Sequence, residues 1–510
     1  MKNSVIICLL AAFLAVMVSA QTAKDVKLPE TPAGKTFAAF LVALNSGDIE
    51  VMRRFHSERS GDLDNAQQDL DFYKQSGGLK LHSVIQSSEH EIEALVQTKS
   101  DGRWLNFKML VDSAPPHPAV KIGVHPVDAP AGAATTEAPR NDAVKPATQP
   151  QPGAAPAAKK MTEAEMVSSL ESYLDELAKQ DKFSGVVLVA KDGKPVFEKA
   201  YGLANKSKNI PINKETKFNL GSMNKMFTSV AIAQLVEAGK LSFDDTVGKH
   251  LPDYPNKDVA GKVTIHQLLT HTSGLGSYWN AKFDAKKSGI KTVSDYLSLF
   301  ADEPLLFEPG QRFEYSNSGF IVLGAIIEKV SGQSYYDYVR EHIYKPAGMK
   351  NTDAYEMTEQ TPNMAMGYTI EGKGGAADGA RRENISSRPN KGGPAGGGYS
   401  TVEDLLKFHV ALRDHKLLSP KYTDLITTGK VAAGGGKYGY GFGERVVNGR
   451  RVFGHNGGAP GIASDLSMFP ELGYTSVVMT NYDPPLMMPV VRKIVEMITL
   501  SKDGAATAIK

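Results

Sequence analysis

Residues 131–160 are a run of Ala, Pro, Thr, Gln and charged residues with almost no large apolar side chain. Such a segment has too little surface to bury to offset the entropy of ordering its backbone, so it stays outside any core and works as a tether. The residues on either side must fold separately, each around its own apolar cluster. A length of 510 residues agrees, being more than one core usually organises. A proline-rich tether extends about 3.1 Å per residue, so the sequence leaves the spacing of the two units open.

The start of the chain has a different pattern. Lys2 precedes an apolar stretch at 5–18 that ends in Ser19 and Ala20. This is the layout of a secretory signal peptide (1–20) with a small-residue cleavage site, and the mature protein would begin near Gln21. The stretch is shorter than the roughly 20 apolar residues of a membrane span, so no stable span is expected after cleavage. Cys8, the single cysteine, lies inside it. Its removal excludes a cysteine nucleophile, a thiolate metal site and a disulfide, and suits a secreted or periplasmic place in the bacterial cell envelope. Lys plus Arg number 58 against 56 Asp plus Glu, a balance that offers no field for a polyanion. Nucleic acid is therefore not an expected partner; a small-molecule or peptide substrate is. No pattern speaks to oligomeric state.

In 21–130, helical periodicity at 36–44 and 49–55 is followed by four strand-like runs at 79–88, 91–99, 103–112 and 120–125, with a turn at Asp101 and Gly102. The order resembles the small cone-shaped α+β modules of the nuclear-transport-factor and cystatin-like kind. It carries no motif-like cluster of His or carboxylates, so an accessory binding or dimerisation unit is expected. After the tether, 161–500 opens with an amphipathic helix at 162–178 and a hairpin of 185–191 and 194–201 turning at Asp192 and Gly193. Strand-like runs return only near the end, at 443–447, 451–455, 463–469 and 474–480, and mostly helices lie between. The expected fold class is thus α/β in the α+β sense. One antiparallel sheet, assembled from both ends of the unit, is flanked by helices with a helical subdomain, preceded by the small α+β unit and followed by a tail at 501–510.

Phe218, Asn219, Leu220 and Gly221 lead into Ser222, Met223, Asn224 and Lys225, then an apolar helix that stops at Gly239. Ser222 is expected in the first turn, where free N–H groups and the helix dipole favour an oxyanion. Lys225, three residues on, shares its helical face and can take the hydroxyl proton if burial lowers the amine pKa. A second S-x-x-K, at Ser288 and Lys291, carries Gly289 and lies in a polar stretch. Tyr315 and Asn317 sit in a polar turn between apolar segments, from which a phenol can relay protons to a leaving group and an amide can bind a substrate carbonyl. Gly454, His455, Asn456, Gly457 and Gly458 end a strand, and glycines there let a backbone or ligand approach closely. The N–H groups of Gly458 and Ser222 would form an oxyanion hole beside Gly457. His455 would hold the Lys225–Tyr315 network or contact a substrate carboxylate. His266 and His271 lie five apart with no H-E-x-x-H, Thr264 and Gln267 read as a capping box, and no metal or other cofactor is expected. No G-x-S-x-G elbow is present.

In order and interval, Ser222 to Lys225, Tyr315 to Asn317 and His455 to Gly457 resemble the three active-site elements of the penicillin-recognising serine hydrolases. The similarity is to the class C β-lactamase-like branch with its D-alanyl-D-alanine carboxypeptidases, D-aminopeptidases and carboxylesterases. The phrases LLTHTSGL at 268–275, PGQRFEYSNSG at 309–319 and GGGYSTVED at 396–404 agree. The resemblance implies a serine hydrolase forming an acyl-enzyme on Ser222, assigns His271 a structural place, and covers nearly all of 161–500. One departure stands out. β-Lactamases of this branch have lysine, threonine and glycine where this chain has His455, Asn456 and Gly457. Imidazole is the weaker positive charge, so an esterase or D-amino-acid peptidase is expected over an efficient β-lactamase. The alternative is a catalytically silent cell-envelope protein that keeps the fold and binds a peptide or glycan.

Overall fold

The computed structural model describes residues 26–59, 65–100, 102–112, 119–127, 161–370, 380–433 and 435–501. The expected leader at 1–20, the tether at 131–160 and the tail after Ser501 lie outside the described residues. The chain divides into two compact units, one within Met1–Pro150 and one within Gln151–Lys510.

In the first unit, helices Pro32–Ser46, Ile49–Arg59 and Asn65–Ser76 precede a four-stranded antiparallel sheet. Its strands, Leu79–Ser87, Glu91–Thr98, Trp104–Val111 and Ala119–Val127, pair in sequence order. Period-two patterning is plain in Glu91–Thr98, where Ile92, Ala94 and Val96 are buried between half-buried neighbours. They pack into a core where the rings of Phe37 and Phe40 lie 5.0 and 5.1 Å from Phe107. The third helix has no counterpart in the sequence reading, because NAQQDLDFYKQS offers too few apolar residues to reveal a period.

The second unit is built on an eight-stranded antiparallel sheet. Its order is Val431–Ala433, Gly436–Tyr438, Gly443–Val447, Arg450–Ala459, Ile462–Phe469, Tyr474–Thr480, Gly185–Lys191 and Lys194–Tyr201. The first hairpin of the unit therefore joins the last strand, with Val187 opposite Val478. Strand Gly185–Lys191 shows why the sheet must be covered on both faces. Val186, Leu188 and Ala190 enter one core, Val187 and Val189 the other. Helices Glu163–Lys179 and Pro484–Thr499 close the second face through Leu170, Leu174, Ile494 and Ile498. The first of them starts at a capping box of Thr162 and Glu165.

The opposite face carries the helical region, including Asn224–Glu237, Asn317–Ser331 and Val402–Arg413. Asn224–Glu237 is buried on nearly every side, from Asn224 and Lys225 through Leu235. A helix without a solvent face has to hold its polar side chains against other protein groups. Lys225 is the consequence that matters.

Leu188 is fully buried under this helical region. Leu188→Ala is expected to destabilise the second unit by about 2–5 kcal/mol, read as a lower thermal midpoint for that unit with the first unit's transition unmoved.

Candidate active site

Ser222 stands where a short strand, Phe218–Asn219, turns into the central helix. The turn is a 3-10 segment, Gly221–Met223, and the α-helix starts only at Asn224. The hydroxyl thus lies just ahead of the α-helix rather than within its first turn. Gly221 makes the turn possible. Its φ is +49°, and a Cβ there would come within 2.8 Å of Gly458 N. Gly457 is equally confined, since a Cβ on it would meet Leu220 O at 2.0 Å. Strand Arg450–Ala459 therefore passes directly against the Ser222 turn, with Ser464 Oγ on the neighbouring strand donating to Leu220 O at 2.8 Å. From the other side, Leu220 N–H donates to Gly398 O at 2.7 Å and Gly397 N–H to Gly221 O at 3.1 Å. Ser222 is half-buried.

The Lys225 amine is fully buried, 3.3 Å from Ser222 Oγ, and donates to Asn317 Oδ1 at 2.7 Å and Ala395 O at 2.6 Å. No carboxylate among the described residues pairs with it. Burial alone holds its pKa well below the ordinary lysine value. A neutral amine has two N–H donors and one lone pair. Asn317 and Ala395 can only accept at the facing atoms, so the lone pair is left for the Ser222 hydroxyl.

Asn317 begins helix Asn317–Ser331, capped by Ser316, whose Oγ accepts from Gly319 N–H at 3.2 Å. With Oδ1 committed to Lys225, its Nδ2 finds no acceptor among the described residues. Tyr315 is 41% exposed, yet burial of its hydroxyl end pushes its pKa up, against the opposing pull of the nearby Ser222 hydroxyl. Its ring lies 4.7 Å beneath the Lys225 amine and 4.2 Å from the His271 ring. His271, at φ +57°, is buried and accepts from Ser316 N–H through Nδ1 at 3.1 Å. Burial first, then Lys225 and His455 nearby, holds its pKa far down, so it is a neutral prop for the Tyr315 turn.

His455 has a partner that the sequence did not reveal. Its Nδ1 faces Asn456 O at 2.5 Å and its Nε2 faces the Tyr438 hydroxyl at 2.8 Å. A carbonyl can only accept, so Nδ1 carries the proton and Nε2 takes Tyr438's. Burial, then Lys225, lowers the His455 pKa to about 3. The imidazole is neutral, and its ring stands 6.5 Å from that of Tyr315, with no hydrogen bond to Tyr315 or Lys225 among the described residues. Tyr438 lies in GKYGYGF, which matches no motif, and Ala395 contributes only a carbonyl; neither had a side-chain signature to find. Ser288 and Lys291 fall outside this assembly, around a short turn at Lys287–Gly289.

A cavity of about 390 Å³ adjoins the site, lined by Phe313, Tyr315, Tyr438, His455 and Asn456 among others. A larger hollow of about 590 Å³, between Gln234 and His342, holds none of the site residues named above. Among the described residues no group of His, Cys, Asp and Glu is placed to hold a metal ion.

The beta-lactamase family profile matches residues 170–499. The chain belongs to the beta-lactamase family. Its relatives are β-lactamase-fold serine hydrolases, among them penicillin-binding-protein-like proteins and an amidohydrolase. PbpX of Bacillus subtilis (strain 168), named as a penicillin-binding protein, is 32% identical over 313 residues, 61% of this chain and 72% of that protein. A solved penicillin-binding protein from Bacillus halodurans is 34% identical, with a TM-score of 0.58 over 64% of this chain and 99% of its own. A D-stereospecific amidohydrolase from Streptomyces sp. is 25% identical, with a TM-score of 0.54 over 66% of this chain and 98% of its own.

Gly221→Ala combines a left-handed backbone with a clash on Gly458. It is expected to displace Ser222 and to lower fluorophosphonate labelling of the intact protein by at least about tenfold, while the far-ultraviolet circular dichroism stays native.

Proposed function

We propose that this protein hydrolyses an ester or amide bond through an acyl-enzyme on Ser222. The observation that carries the proposal is the Lys225 amine, buried without a counter-ion and 3.3 Å from the Ser222 hydroxyl. Neutral Lys225 takes the hydroxyl proton as Ser222 Oγ attacks the carbonyl carbon. The oxyanion is met by the N–H groups of Ser222 and Gly458, a pairing supported by the close approach of Gly221 to Gly458 N. Tyr315, beside Ser222, passes a proton to the leaving group, and Asn317 Nδ2 donates to a carbonyl of the bound substrate. Water then attacks the acyl-enzyme with the same groups in reverse. His455 and Gly457 form the wall along which the substrate lies.

A neutral His455 offers no cation to a substrate carboxylate. This favours an esterase or D-amino-acid peptidase over an efficient β-lactamase, and nitrocefin turnover is expected to be at least about a hundredfold below that of a short acyl ester. Among the described residues no helix is long and apolar enough to cross a membrane. The leader pattern at 1–20 supports release into the periplasm or medium. A silent binding protein is the weaker reading, because a decayed site has no need to keep an uncompensated buried amine.

Two measurements test the proposal. Ser222→Ala should abolish both fluorophosphonate labelling and p-nitrophenyl ester hydrolysis, and a wild-type protein with neither would overturn it. The active form of Lys225 is the neutral amine, so kcat/KM should fall on the acid side, with its limb well below the ordinary lysine value because burial lowers that pKa. Lys225→Arg, unable to lose its proton, should reduce kcat/KM by about a hundredfold to ten-thousandfold at every pH.

A further inference from the structure

Tyr438 and His455 together leave their wall of the site without a hydrogen-bond donor. Tyr438 is buried, and burial first, then Tyr315, pushes its pKa well up, so the phenol keeps its proton. That proton goes to His455 Nε2 at 2.8 Å. The proton on His455 Nδ1 goes to Asn456 O at 2.5 Å. A phenol has one donor and a neutral imidazole has one, and both are used. What remains is the Tyr438 oxygen, which can only accept. Burial by itself would keep the imidazole neutral and leave Nε2 open to a ligand; the Tyr438 hydroxyl is what takes Nε2 away.

The phenol is held where it is. Its ring lies 4.7 Å from that of His271, the prop of the Tyr315 turn, 6.0 Å from that of Phe313, and meets the His455 ring edge-on at 5.7 Å. Swinging it off Nε2 would cost these ring contacts, and turning the hydroxyl alone would leave a buried nitrogen unpaired. Tyr315, Tyr438 and His455 line one cavity, with the Tyr315 and His455 rings 6.5 Å apart. A leaving group that takes its proton from Tyr315 therefore departs past the other two. A carboxylate carried there would give up water and gain no donor from either side chain. Of the two cations lining the cavity, Lys437 stands across the sheet from Glu444. Arg445 stands across from Val452, which enters the core on the face of the sheet opposite His455.

We propose that Tyr438 is a specificity-determining residue: by occupying His455 Nε2 it excludes substrates that carry a carboxylate on the leaving-group half. The proposal rests on the acyl-enzyme reading of Ser222. With the hydroxyl removed, Nε2 has no partner, and a carboxyl group that arrives with a proton can share it with the imidazole as a charge-assisted hydrogen bond.

The test uses the full chain and two acetate esters, para-acetoxybenzoate and its methyl ester, which differ only in the carboxylate of the leaving group. Each kcat/KM is divided by the rate constant for hydrolysis by hydroxide, so that intrinsic reactivity cancels. Release of the phenol is followed for wild type, Tyr438→Phe and Ser222→Ala. Wild type should favour the methyl ester by about tenfold or more. In Tyr438→Phe the carboxylate should gain on the methyl ester by about tenfold, mainly through KM, whereas a merely structural role would lower both together. Equal rates on the two esters in wild type, or a ratio that Tyr438→Phe leaves unmoved, overturns the proposal and leaves the acyl-enzyme intact. Turnover that survives in Ser222→Ala, or no turnover of either ester by wild type, overturns the acyl-enzyme reading and this one with it. A second measurement needs no variant: methyl para-hydroxybenzoate should compete with p-nitrophenyl acetate, and para-hydroxybenzoate should bind at least about tenfold more weakly. Equal competition by the two would reveal a donor on this wall and refute the role given to Tyr438.

Discussion

Everything in the site depends on one primary amine kept away from water. A lysine at the start of a helix buried on nearly every side has to place its amine among protein oxygens. Here the oxygens are two carbonyls and one hydroxyl, and none carries a charge. Had a carboxylate taken one of those places, the ion pair would have held the proton on the amine and made it useless as a base. The absence of compensation, unfavourable for stability, is what the proposed role as a base requires.

The surrounding fold meets the geometric demand that follows. The amine and hydroxyl come from one helix start, but the phenol, the amide and the imidazole come from distant stretches that must be brought to the same point. Backbone proximity does this. Gly221 and Gly457 let a strand press against the Ser222 turn, and the segment around Ala395 to Gly398 packs on it from the opposite side. His271 and Tyr438, both neutral and aromatic in their contacts, fix the two walls by stacking and by single hydrogen bonds.

Much of this was legible in the residues themselves, for identifiable reasons. The hairpin at Gly185–Lys191 and Lys194–Tyr201 and the strand Tyr474–Thr480 emerge at the expected bounds because strongly apolar runs are cut by Asp-Gly and Gly turns. The spacing from Ser222 to Lys225 is local, and a helix converts it into a contact. Helix Asn65–Ser76 escaped because it has too little apolar pattern to read. The bond from Tyr438 to His455 escaped for another reason: a tyrosine in a glycine-rich stretch looks the same whether it faces solvent or a histidine.

The order of strands in the large sheet also bears on how the unit is made. Gly185–Lys191 hydrogen-bonds along its whole length to Tyr474–Thr480. As the chain leaves a ribosome, the early strand waits through almost 300 residues of intervening sequence, about 15 to 60 seconds at ordinary elongation rates, before its partner exists. Until then its valines, destined for two separate cores, have nothing to cover them. Such a topology keeps the early strand without its partner for a long interval, and the sheet can close only after synthesis is nearly complete.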